Sequence, residues 1–271
     1  MIKIGIIIDE YHLKYKVEEF VKYLQLKADV NIYTEESYLL NSSKNTFEED
    51  IFFVKAKGDL VLALVKQIEE ESSIPVINSY KGIYLSINRY LNSVILKRAG
   101  LPVPEFSLNP KGFSPTFNDF IIKNIIDQDN YSFDPLTLGE SNHIRVADKR
   151  ALEEVDGKKS YGYFYYQKFI ESEWEYKLYG IGEKILYYRQ LPVLFNPNKM
   201  ESRTKIPAIK ELNEYCHKVM EIMDLKVTSM DFLQSKDKQF YLTDVNCTPN
   251  FNYVKNGPKI VADFLIEQVK K

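Results

Sequence analysis

The sequence predicts an α/β protein whose first hundred residues form a mainly parallel sheet and whose remainder is of α+β type. Three observations lead there. Strand-like and helix-like runs alternate up to residue 100, the chain breaks at AGLPVP, and the later segments read as antiparallel hairpins around one long helix. At 271 residues the chain exceeds what one core usually organises, so two or three lobes are expected.

IKIGIII is a β-prone run, and YKVEEFVKYLQL repeats apolar residues at three-and-four spacing, as an amphipathic helix does. VNIYT and IFFVKA read as strands, DLVLALVKQIEEE as a helix and IPVINS as another strand. YKGIYLSINRYLNSVILKRAG carries a helix-length pattern that stops at Gly100, and the prolines of LPVP cannot continue it. A lobe boundary is therefore expected near residue 101.

Beyond the boundary, FNDFIIKNI is strand-like, whereas IDQDNYSFDPLTLGESNHI is polar and has little power to form a core. A loop of that length in a compact domain is usually a functional flap or disordered. YGYFYYQKFI is aromatic and β-prone, and EWEYKLYGIG with EKILYYRQLPVL forms a hairpin turning at Gly182 to Lys184. Residues 206 to 225 read as a helix with Ile209, Leu212, Cys216, Val219, Met220 and Met223 on one face. VTSMDFL and FYLTDVN then pair across the SKDKQ turn.

Composition narrows the function. A formal charge of −2 argues against a general nucleic-acid or anionic-membrane binder, while leaving room for a local basic cleft. The opening apolar run is cut short by Asp9, and no stretch approaches the length of a membrane span. Cys216 and Cys247 cannot make a disulfide framework or a four-ligand zinc site, so a cytoplasmic, reducing setting is expected.

The chemistry gathers at LTDVNCTPN. A strict period of two sets Tyr241, Thr243 and Val245 on one face and Leu242, Asp244 and Asn246 on the other. If the hairpin forms, Asp231 comes near the same spot. Two carboxylates and an amide oxygen are hard ligands suited to Mg2+, which takes the rest of its shell from water and phosphate. The alternative is that Asp244 and Asn246 merely cap the hairpin end. Lys123, directly after the apolar FII, must leave the sheet or meet an anion.

These residues resemble the ATP-grasp enzymes over nearly the whole chain. AGLPVP looks like the junction into the nucleotide-binding lobes, FIIK like the strand whose lysine reaches the α- and β-phosphates, and YYQKFI like the hinge over adenine. SMDFL and LTDVNCTPNF look like the two metal-bearing strands. The resemblance implies three lobes: residues 1–100, 101–165 as a small lobe with a phosphate flap, and 166–271 with the metal site. ATP and Mg2+ would lie between the last two. It assigns Arg89, Lys123, Gln167, Lys168 and Phe169 to ATP, and Asp231, Asp244 and Asn246 to the metal. The flap departs from the family pattern in holding a single glycine, Gly139.

For the acceptor, Arg89 in SINRYL, Lys177 in EYKLYGIG and His143 in GESNHIRV resemble the inositol trisphosphate 5/6-kinases. EYHLK and FFVKAKGD resemble kinase segments that give basic groups to substrate. The implied substrate set is His12, Lys14, Lys55, His143, Lys177, Arg189 and Asn246, with Arg203 as a further cation, and Lys177 and His143 hold the acceptor during transfer. The expected partner is then a small phosphorylated polyol, with no nucleic acid and no membrane. The alternative is a carboxylate-amine ligase of the RimK and glutathione synthetase type acting through an acyl phosphate, although VLFNPNKMESRTKIP lacks those ligases' Asn-to-Gly-Gly run. A third reading is a nucleotide-binding regulatory module without catalysis.

Overall fold

The computed structural model describes residues 1–35, 47–110, 113–123, 125–127, 163–192 and 200–270, together with the backbone of 145–147. The first lobe runs β1 (Lys3–Ile8), α1 (Glu10–Tyr15), α2 (Glu18–Gln25), β2 (Asp29–Thr34), β3 (Ile51–Lys55), α3 (Asp59–Glu71), β4 (Val76–Ile77), α4 (Tyr80–Ile87) and α5 (Arg89–Arg98). Its strands form a sheet of order β2-β1-β3-β4 with parallel pairing throughout. IFFVK is buried at every position, which suits a parallel strand covered on both faces.

The predicted single helix from residue 80 to Gly100 is two helices. Asn88 breaks it with φ −91° and ψ 95°, and its side chain caps α5 by accepting from Leu91 N at 3.0 Å. The break lets the backbone pair elsewhere: Arg89 N donates to Ile125 O at 2.9 Å and Asp127 N to Ile87 O at 2.7 Å. Gly100 ends the segment at φ +77°, the left-handed stop that its sequence position implied.

The second sheet, of order β5-β8-β6-β7, comprises β5 (Phe106–Pro110), β6 (Phe120–Lys123), β7 (Arg145–Ala147) and β8 (Tyr163–Lys168), all antiparallel. The third, of order β11-β10-β9-β12-β13, comprises β9 (Glu175–Ile181), β10 (Lys184–Gln190), β11 (Thr204–Lys205), β12 (Val227–Gln234) and β13 (Phe240–Asn246). One face of this sheet packs Leu178, Met230, Phe232 and Leu242 into a core shared with α6 (Lys210–Met223), whose Leu212, Cys216, Val219, Met220 and Met223 are buried. The other packs Tyr179, Ile181 and Val227 with β1, β3 and α7 (Gly257–Val269).

The β12–β13 hairpin forms, but not with an uninterrupted period of two. Asp231 pairs with Asp244 while Phe232 pairs with Leu242, leaving Thr243 as an extra residue in a bulge. Leu242 is thereby turned to the core beside Phe232, and Tyr241 comes to the Asp244 face. The expectation that Leu242 shares a face with Asp244 is corrected on that ground.

Candidate active site

The bulge builds the centre of the site. Across the sheet, Tyr188, Lys177, Asp231 and Asp244 are successive register partners on β10, β9, β12 and β13, so their side chains line one face. Lys177 Nζ lies 2.6 Å from Asp231 Oδ1 and 2.8 Å from Oδ2. Burial works to lower the Lys177 pKa, but the adjoining Asp231 carboxylate outweighs it and holds the ammonium well above its ordinary range. Among the described residues the Asp244 carboxylate accepts no hydrogen bond and has no cation within ion-pair distance, although it is half-buried.

The carbonyl of Thr243, released from the ladder by the bulge, accepts from Lys123 Nζ at 2.9 Å and, more weakly, from Gln167 Nε2 at 3.4 Å. Lys123 is 5% exposed. Burial lowers its pKa, and Asp244 acts in the opposite sense. A pocket opens here between β6 and β8 on one side and β13 on the other, with α4 and α5 behind. Arg89, Lys123, Gln167 and Asp244 are among the groups in its wall. Gln167 is buried, and its Oε1 has no hydrogen-bond partner among the described residues.

A free carboxylate, an orphaned amide oxygen and an amine share this pocket, and the set has the chemistry to receive a cation together with a polar ligand. Asp231, Asp244 and Asn246 fit a hard divalent metal by donor type, and Asn246 already uses its Oδ1 in a turn. That atom accepts from Thr248 N at 2.9 Å. The capping role considered for Asn246 is therefore present, and it does not extend to Asp244. Among the described residues no cluster of three His, Cys, Asp or Glu side chains occurs.

The other proposed cations do not gather here. Lys55 is 3% exposed and donates to Thr248 O at 3.0 Å and Pro249 O at 2.6 Å. Desolvation brings its pKa down to about 7. It braces the turn after β13 instead of facing a cleft. Arg189 pairs with Tyr176, one residue out of step with Lys177, so it projects from the opposite sheet face and stacks on Trp174 at 4.5 Å from the ring centroid. His12 Nδ1 sits 2.6 Å from Asp9 Oδ2, and Lys14 is exposed on α1 near Tyr15. Lys168 is exposed beside Glu105, and Phe169 N donates to Asp119 O at 2.6 Å. His143, Gly139 and most of the expected flap lie outside the described residues.

Arg203 does join the Asp231 face. Its Nε and Nη2 donate to Gln190 Oε1, the former at 2.7 Å, and its Nη1 donates to Tyr179 OH at 3.0 Å. Gln190 is oriented in turn by donating to Glu175 Oε1 at 2.7 Å. Among the described residues no carboxylate pairs with Arg203. Reading the sequence missed Glu175, Tyr179 and Gln190, although the polar alternation Glu175, Lys177, Tyr179 within an otherwise apolar strand was the available sign. It also missed Lys57 and Asp127, for which the polar surroundings of Asp127 gave none.

The chain has the ATP-grasp fold. It aligns over nearly its whole length with solved structures that include ATP-grasp ligases. PsnB, complexed with a minimal precursor, Mg and ADP, is 14% identical with a TM-score of 0.70, the alignment covering 98% of this chain and 97% of that one. A RimK domain ATP-grasp protein from Sphaerobacter thermophilus is 12% identical with a TM-score of 0.73, covering 97% and 99%. The macrocyclase MdnC from Microcystis aeruginosa, bound with the precursor peptide MdnA, is 11% identical with a TM-score of 0.73, covering 98% and 100%. No protein-family model and no curated protein sequence matches the chain.

ATP and Mg2+, the expected cofactors, correspond to the Mg and ADP of the PsnB complex. The expected phosphorylated-polyol partner is corrected, because the neighbours PsnB, an ATP-grasp ligase, and MdnC, a macrocyclase, hold a precursor and a precursor peptide. Among the described residues, Lys55, Arg189, His12 and Lys14 are dispersed and do not converge with Lys177 on one face, as a polyphosphate would need. No helix among the described residues is long and apolar enough to cross a membrane.

Proposed function

We propose that this protein is an ATP-dependent carboxylate–amine ligase whose carboxylate substrate belongs to a peptide. The observation that carries the reading is Arg203, a guanidinium fixed by neutral acceptors on the face of Asp231 and Asp244, with no carboxylate of its own among the described residues. A planar fork held in this way suits a carboxylate ligand. Likeness to ligases that hold peptides supports the choice of a peptide over a free amino acid.

In this reading Lys123 and Arg89 face the nucleotide phosphates, Gln167 to Phe169 border the base, and Asp231, Asp244 and Asn246 hold Mg2+. The metal, when bound, neutralises charge on the transferring phosphoryl group. Arg203 orients the substrate carboxylate, whose oxygen attacks the γ-phosphorus as ADP leaves. Lys177 holds Asp231 in place and lends positive charge to the site. The amine then displaces phosphate from the acyl phosphate, giving the amide and inorganic phosphate.

The test is ADP release from Mg-ATP with two acceptor pools, acidic peptides that also carry amines and inositol phosphates, with Asp244→Ala as control. Stimulation by the peptides alone, abolished in the control, is expected. Stimulation by inositol phosphates alone would overturn the reading.

A further inference from the structure

Asp127 stands outside every role assigned above, yet it is among the most heavily engaged carboxylates described. Its Oδ1 lies 2.6 Å from Arg89 Nη2 and its Oδ2 lies 2.8 Å from Lys57 Nζ. The three groups come from three places: Lys57 from the turn between β3 and α3, Arg89 from the first position of α5, and Asp127 from the segment leaving β6. The Arg89 and Lys57 side chains are only 12% and 9% exposed. Backbone bonds from Arg89 N to Ile125 O and from Asp127 N to Ile87 O fix the same junction. Arg89 also stands in the wall of the pocket that holds Lys123 and Asp244.

Sequence position explains the assembly. Asn88 breaks the helix, so Arg89 begins a new one with its side chain directed to the junction, and Lys57 directly precedes Gly58, the N-cap of α3. The Asp127 carboxylate thus bridges two cations beside the pocket, one through each oxygen, by short contacts. Without Asp127, the Arg89 guanidinium and the Lys57 ammonium would lose the carboxylate that bridges them, and Arg89 a 2.6 Å contact that helps set its direction.

We propose that Asp127 is a positioning residue for nucleotide, holding Arg89 at the pocket wall and, through Lys57, coupling the first lobe to nucleotide affinity. This rests on the reading of the pocket as the nucleotide site and is independent of which acceptor the enzyme uses. Lys57, remote from the chemistry in sequence, becomes a determinant of how tightly phosphate is held.

The test is Mg-ADP binding by calorimetry in the absence of any acceptor, with thermal midpoints measured on the same samples. Asp127→Asn is expected to weaken binding about tenfold, Asp127→Glu to restore most of it, and Lys57→Gln to weaken it about threefold. A merely structural role would lower the midpoint of all three without this ordering of affinities. If Asp127→Asn does not fold, Lys57→Gln decides, since it leaves the Asp127–Arg89 pair intact. Wild-type affinity in a folded Asp127→Asn or Lys57→Gln protein would overturn the inference alone. Failure of the wild-type protein to bind Mg-ADP would overturn the nucleotide assignment with it.

Discussion

Replacing Lys177 with methionine tests how the site face is held together. The methionine keeps much of the apolar stem and removes the ammonium, leaving Asp231 without the cation now 2.6 Å from its Oδ1. Both side chains are mostly buried, 17% and 18% exposed, so solvent can re-solvate the stranded carboxylate only in part. Breaking a buried pair from one side costs about 3–5 kcal/mol, and the residual exposure places this pair near the lower end, about 3 kcal/mol. For a chain of this size that corresponds to about 6–12 °C in the thermal midpoint. Urea unfolding followed by far-UV circular dichroism gives the free energy, and Lys177→Met/Asp231→Asn closes the cycle, recovering at least about 1 kcal/mol relative to the sum of the singles. The raised Lys177 pKa fixes the pH dependence: the contribution is full below about pH 10.5 and declines as pH rises through the folded-state value. A Lys177→Met protein within about 0.5 kcal/mol of wild type, with additive partners, would mean that the Lys177–Asp231 pair does not hold this face together.

Four further outcomes follow from the same geometry. Gly182→Ala should lower stability by about 1–2 kcal/mol in urea unfolding, since φ is +55° and the new Cβ would lie 2.6 Å from the Phe264 ring. Asp127, whose carboxyl is driven far below its ordinary 3.8 by Lys57 and Arg89 against the opposing effect of burial, contributes stability present above about pH 4 and lost as pH falls further. Asp127→Asn should therefore flatten the acid limb of the stability profile. Burial brings Lys55 down from 10.5 to about 7, so the unfolded chain binds the extra proton between those values and stability should rise with pH across that window, a rise that Lys55→Met removes. Arg203→Leu should raise KM for the carboxylate substrate at least about tenfold while leaving Mg-ADP affinity within about twofold, as measured by initial rates and calorimetry.

Much of the architecture was legible because burial leaves periodic traces. In α3, read as a helix, the residues Val61, Leu64, Val65 and Ile68 are buried at helical spacing, and IFFVK, read as a strand, is buried throughout. The acidic pair at the chain end was visible because Asp231 and Asp244 interrupt apolar strands, where a carboxylate needs a reason. What could not be read was register. The extra residue at Thr243 leaves no mark in a pattern of period two, yet it turns Leu242 inward and frees the carbonyl that Lys123 meets. Cations misled for a related reason. Lysines at strand ends look solvated in a sequence, whereas Lys55 is enclosed by a turn almost two hundred residues distant, with its bond to Pro249 spanning 194 positions. Arg189 and Lys177 are equivalent by composition and separated only by the face to which alternation assigns them. Arg203 was one cation among seven until Gln190 and Tyr179 were seen to fix it.

A ligase of the proposed kind spends ATP on activating a carboxylate, and that activated species can be trapped. The full chain would be incubated with Mg-ATP and an acidic peptide in the presence of hydroxylamine, and the peptide examined by mass spectrometry for a hydroxamate. A hydroxamate on an acidic side chain or C-terminus, absent without ATP and absent in Asp244→Ala, is the predicted result. ATP consumption with phosphate transferred to a hydroxyl and no hydroxamate formed would instead identify a kinase.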